Sequence, residues 1–85
     1  MDIELFEVLA GNSAVWVLIL EGQVLTFKKL DALQTLIGPD LVANLTLGRE
    51  PHTVPDFLEF AKNHSILKVV TGAGWRQMLG LPTQD

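Results

Sequence analysis

Three apolar segments separated by short polar turns open the chain. They cover residues 3–9, 14–20 and 24–28, and each contains several β-branched or aromatic residues. The turns between them, at residues 11–13 and 21–23, are rich in residues that favour tight turns. Connections this short join antiparallel neighbours. The pattern therefore predicts a three-stranded β-meander.

The middle segment, residues 14–20, has no polar face. Alternate side chains of a strand point to opposite sides of the sheet, which gives one apolar set on each face: Val15, Val17 and Ile19 on one, and Ala14, Trp16, Leu18 and Leu20 on the other. A strand of this kind is normally central and covered on both sides. Few segments remain to cover two faces, so we expect another chain to cover one of them.

Helical periodicity begins after the third strand. Leu30, Leu33, Leu36 and Ile37 recur at helical spacing, and Gly38-Pro39 ends the segment. A second helix is predicted from Thr53 to about Asn63. Thr53 with Asp56 three residues later resembles a capping box, and Pro55 suits the first turn, where its missing N–H is not needed.

The remaining segments are less regular. Residues 40–48 fit either a half-buried strand or a helix that starts at Pro39, and the poor helix formers Asn44 and Thr46 favour the strand. Residues 66–70 predict a last strand. The glycine loop that follows, residues 71–74, precedes a short helix over residues 75–79. Gly80 and Pro82 end this helix, and residues 83–85 are expected to fray.

These elements predict one α+β domain that spans residues 1–85. Its sheet has three or four mostly antiparallel strands, and two short helices pack on one face of it. A short helix follows at the C-terminal end. An 85-residue chain is of single-domain size and has a thin hydrophobic core.

Composition and charge narrow the function classes. The chain has no cysteine, which excludes disulfides, thiolate metal sites and thiol nucleophiles. Its net charge of -4, with six scattered basic residues, disfavours nucleic acid as a partner. The longest apolar run has seven residues, against the ~20 that a membrane-spanning helix needs. The first residues carry acid where a signal peptide carries positive charge, so we expect a cytoplasmic protein without a membrane partner.

Catalytic and metal chemistry is not expected. His52 and His64 flank the second predicted helix, which would separate them by roughly 15 Å or more at 1.5 Å per residue. The serines Ser13 and Ser65 lack the Gly-x-Ser-x-Gly pattern of a nucleophile elbow. We therefore expect no enzyme activity, no catalytic residue, no metal and no cofactor.

Two alternative functions involve the C-terminal third. The glycine loop with Gly72 and Gly74, followed by Arg76, is a candidate site for a small anion or other ligand, although it lacks the third glycine or the Lys-Ser/Thr of phosphate-binding loops. If residues 57–79 formed three short helices instead, the last would present Arg76 and Gln77 to DNA or RNA. A nucleic-acid-binding regulator would also need its basic residues on one face.

The function that the sequence favours is a small non-catalytic protein–protein interaction module, such as an adaptor, an inhibitor or a complex subunit. We expect it to self-associate through an uncovered sheet face, as a homodimer, or to bind another protein. Aromatic and arginine side chains dominate such interfaces. The expected interface residues are Trp16, Leu18, Leu20, Trp75 and Arg76.

Overall fold

The computed structural model describes residues 3–81. Pro82 and the predicted frayed end, residues 83–85, lie outside this range.

The sheet is a meander with one added strand. Its strands are β1 (Ile3–Ala10), β2 (Ser13–Leu20), β3 (Gln23–Phe27) and the two-residue β4 (His52–Thr53). β1, β2 and β3 pair antiparallel in sequence order, which confirms the predicted meander. β4 pairs parallel to β1, so the strand order is β3-β2-β1-β4 and the sheet is mixed.

Both hairpin loops of the meander have two residues. In the second loop Glu21 and Gly22 have positive φ angles of 52° and 80°, as a type I′ turn requires. In the first loop Gly11 has a φ of 66° at the leading position, where type II′ turns place glycine. Both turn types match the right-handed twist of the strands. The two-residue loops fix the register of the two hairpins.

Within residues 3–81, four α-helices and one 3-10 helix pack with the sheet. They are α1 (Leu30–Ile37), α2 (Pro39–Thr46), α3 (Val54–Asn63), the 3-10 helix (Leu67–Val69) and α4 (Gly72–Met78). The α+β class is confirmed, as are α1 and the start of α3 after Thr53. The hydroxyl oxygen of Thr53 accepts a hydrogen bond from the backbone N–H of Asp56 at 3.3 Å, as the capping pattern predicts. Among residues 3–81, none of these helices has the length and apolar character to cross a membrane.

The preferred prediction of a strand over residues 40–48 is wrong, because this segment forms α2. Pro39 occupies the first turn, and Val42 is buried against the sheet. The Thr46 hydroxyl donates to the carbonyl of Val42 at 2.9 Å, one turn back. Packing of the apolar side of α2 thus outweighs the weak helix propensity of Asn44 and Thr46.

The predicted last strand over residues 66–70 is also wrong. Leu67–Val69 forms the 3-10 helix, and Leu67 points into the core with no exposed surface. β4, rather than this segment, pairs with β1. The glycine loop is part of a helix as well, since α4 begins at Gly72 and the Thr71 hydroxyl accepts from the N–H of Gly74 at 3.1 Å.

The helices cover both faces of the sheet, not one face as predicted. On one face α1 and α2 enclose a small core of four buried residues: Leu5, Leu18, Leu33 and Val42. On the other face α3, the 3-10 helix and α4 enclose a larger core, in which Phe57, Leu67 and Trp75 pack on β1 and β2. β2 is therefore central and apolar on both faces, as predicted, but the chain's own helices cover both of them.

Candidate functional site

The predicted interface residues do not form one surface. Leu18 is fully buried in the smaller core, and Trp75, 2% exposed, is buried in the larger core on the opposite face. Trp16 and Leu20 are half-buried on the α1–α2 face. Arg76 is half-buried on α4. The prediction assumed that one sheet face is uncovered, but α1 and α2 cover one face, and α3, the 3-10 helix and α4 cover the other.

β3 forms an open edge of the sheet. No other strand among residues 3–81 pairs with its outer side. Its five residues, Gln23–Phe27, include no charge and no proline. Natural edge strands are commonly protected from pairing with other chains by charged residues, proline or a bulge. β3 has none of these within its length, so its edge can accept another strand.

The hairpin geometry determines which backbone groups β3 offers. In a two-residue hairpin the flanking residues form a hydrogen-bonded pair, and here Leu20 pairs with Gln23. Hydrogen-bonded and non-bonded pairs alternate along antiparallel strands, so Leu25 and Phe27 also bond to β2. The N–H and C=O groups of Val24 and Thr26 therefore point outward.

Helix α1 carries exposed apolar side chains. It contacts β3 and buries only Leu33. Leu30 and Leu36 on the same helix are 39% and 51% exposed. Leu25 of β3, on the same sheet face as α1, is half-buried. Together Val24, Thr26 and these leucines form what we call the β3 edge surface.

A second candidate site is a pocket of about 250 Å³ between α3, the 3-10 helix and α4. Leu58, Val70 and Trp75 contribute its apolar wall. Three basic residues from the three helices also line it: Lys62, Lys68 and Arg76. We call it the basic pocket. Gly72, from the predicted glycine loop, lines it too.

Trp75 connects the basic pocket to the larger core. Its ring lies edge-to-face with that of Phe57, with ring centroids 4.9 Å apart. Its indole nitrogen, Nε1, is buried and has no hydrogen-bond partner among residues 3–81. Buried polar atoms are nearly always hydrogen-bonded, so this donor is an exception within the fold.

The two histidines are closer together than predicted. Both ring centroids lie 5.5 Å from that of Phe60, so the imidazoles cannot be further apart than twice this distance. The prediction of roughly 15 Å considered only the rise along the helix. His52 and His64 instead both turn towards Phe60 and Phe6. Within residues 3–81 no three His, Cys, Asp or Glu side chains group as metal ligands.

The basic residues expected in a nucleic-acid-binding face do not share one depression. Lys68 and Arg76 line the basic pocket, whereas Lys28 lines another depression, of about 190 Å³, together with Leu79 and Gly80. Lys29 lies in neither of these two depressions. Residues 66–79 nevertheless contain two helices, the 3-10 helix and α4, whereas the preferred prediction placed a strand over residues 66–70.

Sequence reasoning missed two parts of these sites. Lys62 was not singled out, although its place on the exposed side of a well-predicted helix was a signal that it was available for binding. The open edge of β3 was also missed. The signal there was that the strand is third in a meander and has no charge between Gln23 and Phe27.

Comparisons of the chain with known protein families, with curated proteins and with solved structures give no match.

Proposed function

We propose that this protein is a small non-catalytic interaction module of the cytoplasm, which works without a cofactor and associates with a second copy of itself along the β3 edge surface. The observation that carries the proposal is the open, uncharged edge of β3. An edge of this kind presents unpaired N–H and C=O groups to another strand.

Antiparallel pairing of two copies fits the outward groups of β3. With Leu25 at the twofold axis, Val24 of one copy lies opposite Thr26 of the other. These are the residues whose backbone groups point outward. In each of the two Val24–Thr26 pairs, the N–H of either residue therefore donates to the C=O of the other. A twofold interface uses the same patch on each copy, which a single self-complementary strand supplies.

The charges at the two ends of β3 favour the same arrangement. Glu21 precedes the strand, while Lys28 and Lys29 follow it. Antiparallel pairing places the start of one strand beside the end of the other. Glu21 of each copy then lies close to Lys28 and Lys29 of the second copy, so unlike charges meet at both ends of the interface. Such complementarity selects partner and register.

The apolar surface of α1 extends the contact beyond the strands. Pairing around a twofold axis perpendicular to the sheet keeps both α1 helices on the same face. Leu30 and Leu36, which are exposed in one chain, are the apolar side chains that α1 offers to such a contact. Their burial contributes roughly 25 cal/mol for each Å² of apolar surface removed from water. This is the hydrophobic part of the proposed interface.

A charge-swap series measured by sedimentation equilibrium tests the proposal. We expect wild-type protein to dimerise at micromolar concentration. Glu21→Lys and Lys29→Glu each place like charges together twice per dimer, and each raises the dimer Kd about tenfold, since one exposed pair is worth up to about 1 kcal/mol. The double variant restores the unlike pairing and returns the Kd towards the wild-type value.

Lys62→Glu is the matched control, since it reverses a charge on α3, on the opposite face of the sheet from α1. It leaves the dimer Kd within about twofold. A monomeric wild-type chain at hundreds of micromolar, or a double variant no tighter than the single variants, contradicts the proposed interface.

A further inference from the structure

We propose that the basic pocket binds a small organic anion that carries a phosphate or carboxylate group on an apolar body. This site is separate from the β3 edge surface, and the proposal does not depend on self-association. The pocket lies between α3 and α4, on the sheet face opposite α1.

The pocket is lined by positively charged residues, although the chain as a whole has a net charge of -4. The protein has ten acidic and six basic residues, yet three of the six basic residues line this one depression. None of the residues that line it within 3–81 is acidic. A concave site with one sign of charge concentrates ions of the opposite sign. The arrangement therefore selects an anion.

The three cations remain available to a ligand. Lys62 lies 3.7 Å from Glu59, but both side chains are about three-quarters exposed (75% and 74%), and such a pair contributes little. Among the carboxylates of residues 3–81, none lies within 4.0 Å of Lys68 or Arg76. The Arg76 guanidinium has a planar fork of donors that matches two oxygens of a phosphate or carboxylate.

The apolar wall of the pocket determines the character of the uncharged part of the ligand. Leu58, Val70 and Trp75 offer hydrocarbon and aromatic surface next to the cations. Drug-sized ligands occupy pockets of roughly 300–1,000 Å³, so a pocket of about 250 Å³ suits one ring or a short chain. An inorganic anion would leave this wall in contact with water. The ligand class that uses both parts of the pocket is a monocyclic or short-chain organic anion.

Phenyl phosphate is a suitable probe, with inorganic phosphate and phenol as its two halves. The titration uses the Trp16→Phe variant, in which Trp75 is the remaining one of the chain's two tryptophans and reports on the pocket by fluorescence. We expect phenyl phosphate to bind with a Kd on the order of 1 mM or below, and either half to bind at least about tenfold more weakly. Higher salt weakens binding.

Variants that each replace one positively charged side chain with a neutral one test where the ligand binds. Lys68→Gln and Arg76→Gln each remove a charge-assisted hydrogen bond and weaken phenyl phosphate binding about tenfold. Arg49→Gln removes the same charge in the connection between α2 and β4, outside the pocket, and leaves phenyl phosphate binding unchanged. Circular dichroism confirms that each variant is folded.

Three outcomes overturn the proposal. The first is the absence of any fluorescence or NMR response to phenyl phosphate at millimolar concentration. The second is binding that Lys68→Gln and Arg76→Gln do not weaken. The third is equal affinity for inorganic phosphate and phenyl phosphate, which would show that the apolar wall takes no part.

Discussion

The imidazole Nε2 of His64 lies 2.8 Å from the carboxylate oxygen Oε2 of Glu4. The other ring nitrogen, Nδ1, accepts hydrogen bonds from the backbone N–H groups of Ile66 at 3.2 Å and Leu67 at 3.5 Å. Because Nδ1 accepts, Nε2 carries the ring hydrogen and donates it to the carboxylate. One side chain thus connects β1, the end of α3 and the start of the 3-10 helix.

We expect His64→Ala to lower the free energy of unfolding by about 1–3 kcal/mol, because it removes the acceptor of two partly buried N–H groups as well as the contact with Glu4. Glu4→Gln keeps an oxygen that can accept from Nε2, and the Glu4 side chain is 41% exposed. We expect its cost to stay below about 1 kcal/mol. Urea denaturation followed by circular dichroism measures both changes.

Glu59→Gln is the control for this pair, since it alters an exposed contact with Lys62 on the same helix. We expect it to change the free energy of unfolding by less than about 0.5 kcal/mol. If His64→Ala costs no more than Glu59→Gln, the imidazole does not hold these segments together.

The two glycines at the start of α4 differ in the space around them. A Cβ at Gly72 meets no atom within 4 Å, whereas at Gly74 it lies 3.1 Å from Val70 Cγ1 and 3.3 Å from the Thr71 hydroxyl oxygen. That hydroxyl is the helix cap. We expect Gly72→Ala to be neutral or stabilising, because alanine is the better helix former.

Gly74→Ala makes the same chemical change where space is tight. Crowding of Val70 and of the Thr71 cap offsets the gain in helix propensity, so this variant is less stable than Gly72→Ala by about 1 kcal/mol or more. Thermal unfolding of the two variants side by side checks the difference. Equal melting temperatures would show that the cap adjusts freely.

Local sequence signals were sufficient for the parts of the fold that depend on neighbouring residues. The strands of the meander agree with prediction to within one residue at each end, because alternation and two-residue turns act over short distances. α1 and α3 agree for the same reason, through the leucine spacing from Leu30 and the cap at Thr53.

The errors occurred where distant segments decide the structure. Residues 40–48 have weak preferences, and burial of Val42 against β1 and β2 selects the helix. β4 contains only His52 and Thr53, too few to show a period, and it exists because part of the edge of β1 is free. The basic pocket could not be read from spacing, since its cations come from three separate helices. Only their packing brings Lys62 next to Lys68 and Arg76.

Leu33 and Leu36 of α1 separate the stability of the fold from the proposed self-association. Leu33 has no exposed surface and belongs to the smaller core, whereas Leu36 on the same helix is 51% exposed. In dilute protein, Leu33→Ala lowers the free energy of unfolding by about 2–5 kcal/mol, and Leu36→Ala changes it by about 0.5 kcal/mol or less.

At protein concentrations where the chain is expected to dimerise, Leu36→Ala is the variant with the measurable effect. Leu36→Ala removes apolar surface from the proposed interface and raises the dimer Kd several-fold in sedimentation equilibrium, by roughly 25 cal/mol for each Å² of lost burial. Leu58→Ala, which shortens a leucine on the opposite sheet face, is the control and leaves the dimer Kd unchanged. A Leu36→Ala variant that dimerises as tightly as wild type would place the contact away from α1, because a leucine buried at a twofold interface is lost twice per dimer.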